Sequence, residues 1–156
     1  MSAGLKNGES RLISWVAVCI FLIDWTLKQF ALSFAGKGSG AAVEFALFMN
    51  KGVAFSIELP EPIYWFLMIV AVLALFWAFS TAFRSRADML PPLTFIAFGA
   101  LSNLLDRVMV NATVDYLIFF GRSAINLADV MIVGGLLWLF AIELRREKSK
   151  PQQGEK

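Results

Sequence analysis

The chain has 156 residues, of which 58% are hydrophobic and only 17% charged, and its mean hydropathy is +0.68. That is more apolar surface than one soluble domain of this length can bury, so the sequence is built for a bilayer. Its 14 basic and 12 acidic residues are too evenly balanced for a nucleic-acid surface. The absence of histidine excludes His-ligated zinc and Ser-His catalysis, and a single cysteine excludes an internal disulfide.

A membrane-spanning helix needs about 20 mostly apolar residues. Leu12 to Phe34 is the first such stretch, interrupted by Asp24 and Lys28. Lys6 and Arg11 give it a basic start, but no small-residue cleavage site follows, and Val18 before Cys19 spoils a lipoprotein-type box. It therefore reads as a retained helix, with Cys19 as a buried, inert core residue. In the next segment, Ala35 to Pro62, Val43, Phe45, Leu47 and Met49 alternate with Glu44, Ala46, Phe48 and Asn50, the period of a strand. Asn50-Lys51-Gly52 reads as a turn and Val53 to Glu58 as the returning strand, a hairpin small enough to need the bundle or the membrane surface for support.

Ile63 to Phe83 is the second span and carries no charge. Pro91 to about Val110 is the third, opening on Pro91-Pro92, where a missing N–H does no harm. Ile125 to Ile142 is the fourth, with Asn126 and Asp129 at its start, and residues 143–156 form a polar tail expected to fray after a turn or two. The expected fold class is thus an all-α membrane protein: one domain over 1–156, with spans at about 12–34, 63–83, 91–110 and 125–142.

The flanking charges orient these spans. Lys6, Arg11, Arg84, Arg86, Arg145, Arg146, Lys148, Lys150 and Lys156 fall on one side, against Lys37, Lys51, Arg107 and Arg122 on the other. Both termini are therefore expected in the cytoplasm.

Ionisable residues inside a membrane are costly and point to function by default. Asp24 and Lys28 are spaced i, i+4; Asn103, Asp106 and Arg107 lie at i, i+3 and i+4; Asn126 and Asp129 are i, i+3. Each set shares a helix face, and three helices bring their sets to one level near the outer leaflet, beside Asn50 and Asp115. A structural reading stands beside the functional one. Asp24–Lys28 and Asp106–Arg107 serve equally well as bracing ion pairs, and Asn103 and Asn126 as interhelical glue. Asp115 and Asp129 have no such obvious duty.

Among peptide hydrolases, zinc and Ser-His designs need histidine, and nothing marks Ser33 or Ser56 as activated by Lys28. Two carboxylates held close together remain, one keeping a proton while the other is charged, a design that needs neither metal nor cofactor.

At these residues the chain resembles the lipoprotein signal peptidases, the signal peptidase II family of bacterial aspartic proteases. The D-x-x-x-K pattern is Asp24 to Lys28, N-x-G-x-A-F is Asn50 to Phe55, and G-A-x-x-N-x-x-D-R is Gly99 to Arg107. V-D-[FY] is Val114-Asp115-Tyr116, and F-N-x-A-D is Ile125 to Asp129. The resemblance implies four transmembrane helices with a small extracytoplasmic β-cradle and a short lid. It also implies Asp115 and Asp129 as the catalytic pair and Asp106 with Arg107 as a supporting pair. Asp24, Lys28, Asn50, Gly52, Asn103, Asn126 and Ala128 are implied to line or brace the site.

The implied reaction removes signal peptides from prolipoproteins before a diacylglyceryl-modified cysteine, at the bacterial inner membrane. The implied partners are those precursors and membrane lipids, with no nucleic acid and a monomeric enzyme. Ser102 replaces the family's usual glycine, Ile125 its phenylalanine and Val53 a small residue. Only 13 residues separate Asp115 from Asp129, a short connection expected as a helix or lid. The alternatives are a proton-coupled transporter subunit using Asp24, Asp106 and Asp129, and a non-catalytic lipoprotein-binding paralogue.

Overall fold

The structure is a computed structural model and describes residues 7–33, 42–52, 57 and 59–149. Four long helices carry it: α1 (Asn7–Ser33), α2 (Glu61–Ser85), α3 (Leu90–Val110) and α4 (Leu127–Ser149). All four are long and apolar enough to cross a membrane. β1 (Val43–Asn50) follows α1, while β2 (Thr113–Phe119) and β3 (Ser123–Ile125) lie between α3 and α4. A single 3-10 turn, Ala87–Met89, joins α2 to α3.

The helices sort by what they bury. α2 is apolar on every side, with Phe76, Trp77 and Phe83 each more than 70% exposed. A helix of that kind is stable against lipid rather than water. Its hydroxyls stay satisfied, since Ser80 and Thr81 donate to the carbonyls of Phe76 and Trp77 four residues earlier. On α1 the inward stripe is Ala17, Asp24, Lys28 and Ala31, all fully buried. Cys19 lies two residues, about 200° of helix, beyond Ala17. It is accordingly exposed on the outward face, not in the core as expected.

α3 and α4 approach most closely, through small residues. A Cβ on Gly99 would come within 2.6 Å of the Ala128 carbonyl oxygen, and one on Gly135 within 2.6 Å of Ile96 and 2.8 Å of the Pro92 carbonyl. Only glycine permits that approach, the usual means of helix association in a bilayer. At the opposite end from the sheet, the Arg86 guanidinium forks onto Glu143, and Arg146 lies 3.7 Å from Asp88, tying the α2–α3 turn to α4.

The strand expected at Val43–Met49 is present as β1, but its partner is β2, from the far side of α3. The expected returning strand, Val53–Glu58, lies outside the described residues apart from Ile57. Between Asp115 and Asp129, where a helix or lid was expected, the chain forms the β2–β3 hairpin, a strand pair rather than a helix. Val114, Tyr116 and Ile118 are apolar or aromatic at alternate positions, and a tight turn follows at Phe120 and Gly121 (φ 51° and 61°). The sheet order is β1-β2-β3, antiparallel throughout.

β1 carries one extra residue between Phe45, opposite Leu117, and Phe48, opposite Asp115. Such a bulge re-aims the side chains beyond it. Asn50, opposite Thr113, thereby shares a face of the sheet with Asp115. The sheet packs on α1 through Tyr116, Val114 and Ala31, and Phe45 bridges the rings of Phe30 and Tyr116.

Candidate active site

Asp115 is buried on β2 and Asp129 sits in the first turn of α4. Asn126, between them in sequence, holds both. Its Nδ2 donates to Asp115 Oδ1 at 2.7 Å, its Oδ1 accepts from the Asp129 N–H at 2.8 Å, and its own N–H donates to Asp129 Oδ2 at 3.2 Å. The last two form a reciprocal capping box, with Asn126 as N-cap and Asp129 three residues on. This is why the fourth helix begins at Leu127 rather than at the expected Ile125.

Each carboxylate has one further amide. Asn50 Nδ2 donates to Asp115 Oδ2 at 3.1 Å, and Asn103 Nδ2 donates to Asp129 Oδ1 at 2.8 Å. Burial, the largest influence, pushes the Asp115 carboxyl up to about 7, and the Asp129 charge adds to it; hydrogen bonds from Asn50 and Asn126 act the other way. The site therefore sets a carboxyl near neutrality beside a second carboxylate.

Beneath the pair lies a cage around Lys28. Its ammonium contacts Asp106 Oδ2 at 2.7 Å, Ser102 Oγ and Asn103 Oδ1 at 2.9 Å, and Asp24 Oδ2 at 3.1 Å. Asp24 in turn accepts from Ser102 Oγ at 2.5 Å, from the Tyr116 hydroxyl at 2.8 Å and from the Ala128 N–H at 3.2 Å. Tyr116 also accepts from the Leu127 N–H at 3.0 Å. Burial raises the Tyr116 hydroxyl above its ordinary range, so it stays protonated and remains a donor to Asp24.

The expected Asp24–Lys28 pair is thus present, but Asp106 takes its cation from Lys28 rather than from Arg107. Consecutive helical residues point about 100° apart, so Asp106 and Arg107 face different neighbours. Asp106 turns to α1 and also accepts from the Val114 N–H at 3.1 Å. Arg107 turns toward β1 and the loop after it: Nε donates to Thr113 Oγ1 at 2.9 Å, and its two amino groups to the carbonyls of Lys51 and Gly52. The guanidinium also lies over the Tyr64 ring, 4.6 Å from its centroid. Gly52 donates its N–H to Asn50 Oδ1 at 3.0 Å. Arg107 consequently braces the loop that orients Asn50 toward Asp115.

All eleven residues named from the sequence fall on this one cluster. Asp115, Asp129, Asn50, Asn103 and Asn126 surround the carboxylate pair; Asp24, Lys28, Asp106 and Ala128 form the cage side; Arg107 and Gly52 form the loop brace. Ser102, Thr113, Tyr116 and Tyr64 are further members that sequence reasoning did not assign. Ser102 stands one turn before Asp106 on the same face, and Tyr116 is a phenol beside a carboxylate in a strand; both signals were available.

A family model described as signal peptidase (SPase) II matches residues 16–145. The chain is 30% identical over 168 residues to a lipoprotein signal peptidase of Azoarcus sp. (strain BH72), covering 99% of this chain and 96% of that one. It is 32% identical over 133 residues to a lipoprotein signal peptidase of Syntrophomonas wolfei, covering 80% and 88%. A solved bacterial membrane enzyme shares the fold with a TM-score of 0.73 at 22% identity, over 96% of this chain and 95% of its own. The chain belongs to the signal peptidase II family of membrane proteases.

Proposed function

We propose that this protein is an aspartic endopeptidase that cuts signal peptides from prolipoproteins immediately before a diacylglyceryl-modified cysteine, with Asp115 and Asp129 as its catalytic pair. The observation that carries the reading is the shared grip of Asn126 on both carboxylates, 2.7 Å to Asp115 and 2.8 and 3.2 Å to Asp129. Asp115, its carboxyl pushed up to about 7 by burial, is the partner assigned the proton.

In the first step Asp129 takes a proton from water as the water oxygen bonds to the scissile carbonyl carbon, and Asp115 gives its proton to the carbonyl oxygen. In the second, the protonated Asp129 delivers its proton to the leaving nitrogen. Asp115 recovers one from a hydroxyl of the tetrahedral carbon, the C–N bond breaks, and both carboxyls return to their starting states. Substrate binding energy from the apolar signal helix on one side of the bond and the lipid on the other is available to position it.

A Ser-Lys reading has one contact in its favour, Lys28 to Ser102 at 2.9 Å. Ser102 is fully buried and donates to Asp24, while Lys28 is paired with two carboxylates. A hydroxyl so placed has no access to a peptide bond, and an ion-paired ammonium is no base.

The basic asymmetry of the flanks supports cytoplasmic termini and a site near the outer leaflet of the inner membrane. The protein works there as one monomeric domain in contact with lipid. The test is purified protein with a diacylglyceryl-cysteine precursor, products weighed by mass spectrometry. Cleavage before the modified cysteine is expected; equal cleavage of the unlipidated precursor contradicts a lipid-dependent site.

A further inference from the structure

Lys28 is wholly buried, yet its position bears on the carboxylate pair. An ammonium only donates. The Asn103 atom 2.9 Å from it is therefore the carbonyl oxygen, which also accepts from Asn126 Nδ2 at 3.1 Å. That choice leaves the Asn103 nitrogen facing the other way, at Asp129 Oδ1, 2.8 Å distant. With the amide turned over, two oxygens would oppose each other at Asp129 and the Lys28 acceptor would become a donor. The cation, together with the Asn126 amide, thus fixes which end of Asn103 the catalytic carboxylate meets.

The same cage also registers the backbones that carry the pair. Asp24, tied to Lys28 directly and through Ser102, accepts from Tyr116, the neighbour of Asp115, and from Ala128, the neighbour of Asp129. Ser102 holds the ammonium one residue before Asn103 on α3, so the Asp24–Lys28 pair sets the height of α1, α3, β2 and α4 relative to one another.

We propose that Lys28 is a positioning residue for peptide cleavage, acting through the Asn103 amide to keep a donor on Asp129. This rests on the assignment of Asp129 to the catalytic pair. Lys28 touches no substrate; its effect passes through an amide whose direction it sets together with Asn126. Small displacements of a reacting group lose about 10²-fold in rate, which sets the scale expected here.

Asn103→Asp separates positioning from bracing, because it keeps an acceptor for Lys28 while removing the donor to Asp129. With the full chain and the diacylglyceryl-cysteine precursor, Asn103→Asp is expected to melt somewhat lower, because a carboxylate oxygen then opposes Asp129, yet to fold and to lose kcat by roughly 10–100-fold with KM little changed. Lys28→Met is expected to lose kcat on the same scale, and the double variant to be no slower than Asn103→Asp alone. Near-parental turnover by Asn103→Asp, or losses that multiply in the double variant, would overturn the proposal. Should Lys28→Met not fold, Lys28→Gln, which keeps a polar end among the same acceptors, serves in the same cycle.

A second readout does not depend on turnover. In protein labelled with 15N-asparagine, the Asn103 side-chain proton bonded to Asp129 is expected downfield, and to lose that shift in the Lys28 variant. An unchanged shift would overturn positioning even if the enzyme is active. A wild-type protein that shows the shift but cuts no precursor would instead overturn the assigned reaction.

Discussion

Replacing Asp115 with asparagine should change the pH dependence of stability in a direction the structure dictates. The carboxyl titrates at 3.8 when free and at about 7 when folded, chiefly because it is buried. Folding therefore gains from this group fully below 3.8, and the gain is lost as pH rises toward 7 and stays lost above it. Between pH 5 and pH 8 that loss amounts to about 2–3 kcal/mol in the parent, and an asparagine does not titrate. The substitution keeps the acceptor for Asn126 but sets an amide nitrogen opposite the Asn50 amide, which stands 3.1 Å from Asp115 in the parent. That opposition costs about 1–3 kcal/mol at every pH, so it cancels when two pH values are compared. Melting in detergent micelles should show the variant gaining roughly 5–10 °C on the parent between pH 5 and pH 8. A difference that stays constant, or moves the other way, would refute burial as the source of the raised Asp115 titration.

Asp24→Asn removes the charge that pairs Lys28 and one of the two oxygens that serve Lys28 and Ser102 on one side and Tyr116 and Ala128 on the other, and should lower stability by about 3–5 kcal/mol while leaving measurable turnover. A fully stable but wholly inactive variant would move Asp24 into the chemistry. Gly135→Ala should destabilise by about 1–3 kcal/mol because its Cβ would meet Ile96 and the Pro92 carbonyl. Gly134→Ala, where the Cβ meets nothing, should be neutral or slightly stabilising in the same melts. Accessibility tags at Ser85 and after Lys156 should report cytoplasm and one at Lys37 the outside, and labelling at Lys156 from outside would invert the topology.

The spans were readable because lipid imposes one requirement, a long apolar run, that composition alone meets. α2 shows it most simply, being apolar on every side. The polar cluster was readable through helical spacing, since i, i+3 and i+4 positions share a face whatever packs against it. What spacing could not give was the partner. Asp106 and Arg107 are neighbours in sequence and face different sides of α3, one toward Lys28 and one toward the loop carbonyls.

The pairing of the strands was hidden for a similar reason. The alternation in β1 marks a strand, but pairing with β2 is a long-range choice, and the bulge before Phe48 breaks the very alternation that signals the strand. The i, i+3 spacing of Asn126 and Asp129 was read only as a shared helix face; in the structure it is a capping box that places both the helix start and one of the carboxylates. Ser102 was seen only as a departure from the family pattern; its link between Asp24 and Lys28 required the crossing of α1 and α3.

The central claim is that Asp115 and Asp129 share the chemistry, and single-turnover cleavage of a diacylglyceryl-cysteine precursor by Asp115→Asn and Asp129→Asn tests it most directly. Neither amide replaces an acid or a base, so each variant should fold, bind precursor and lose several orders of magnitude in rate, and the double variant should lose little more. In the parent, cleavage should fall as pH rises through about 7, where Asp115 gives up its proton. Substantial cleavage by either single variant would contradict the shared role of the two carboxylates.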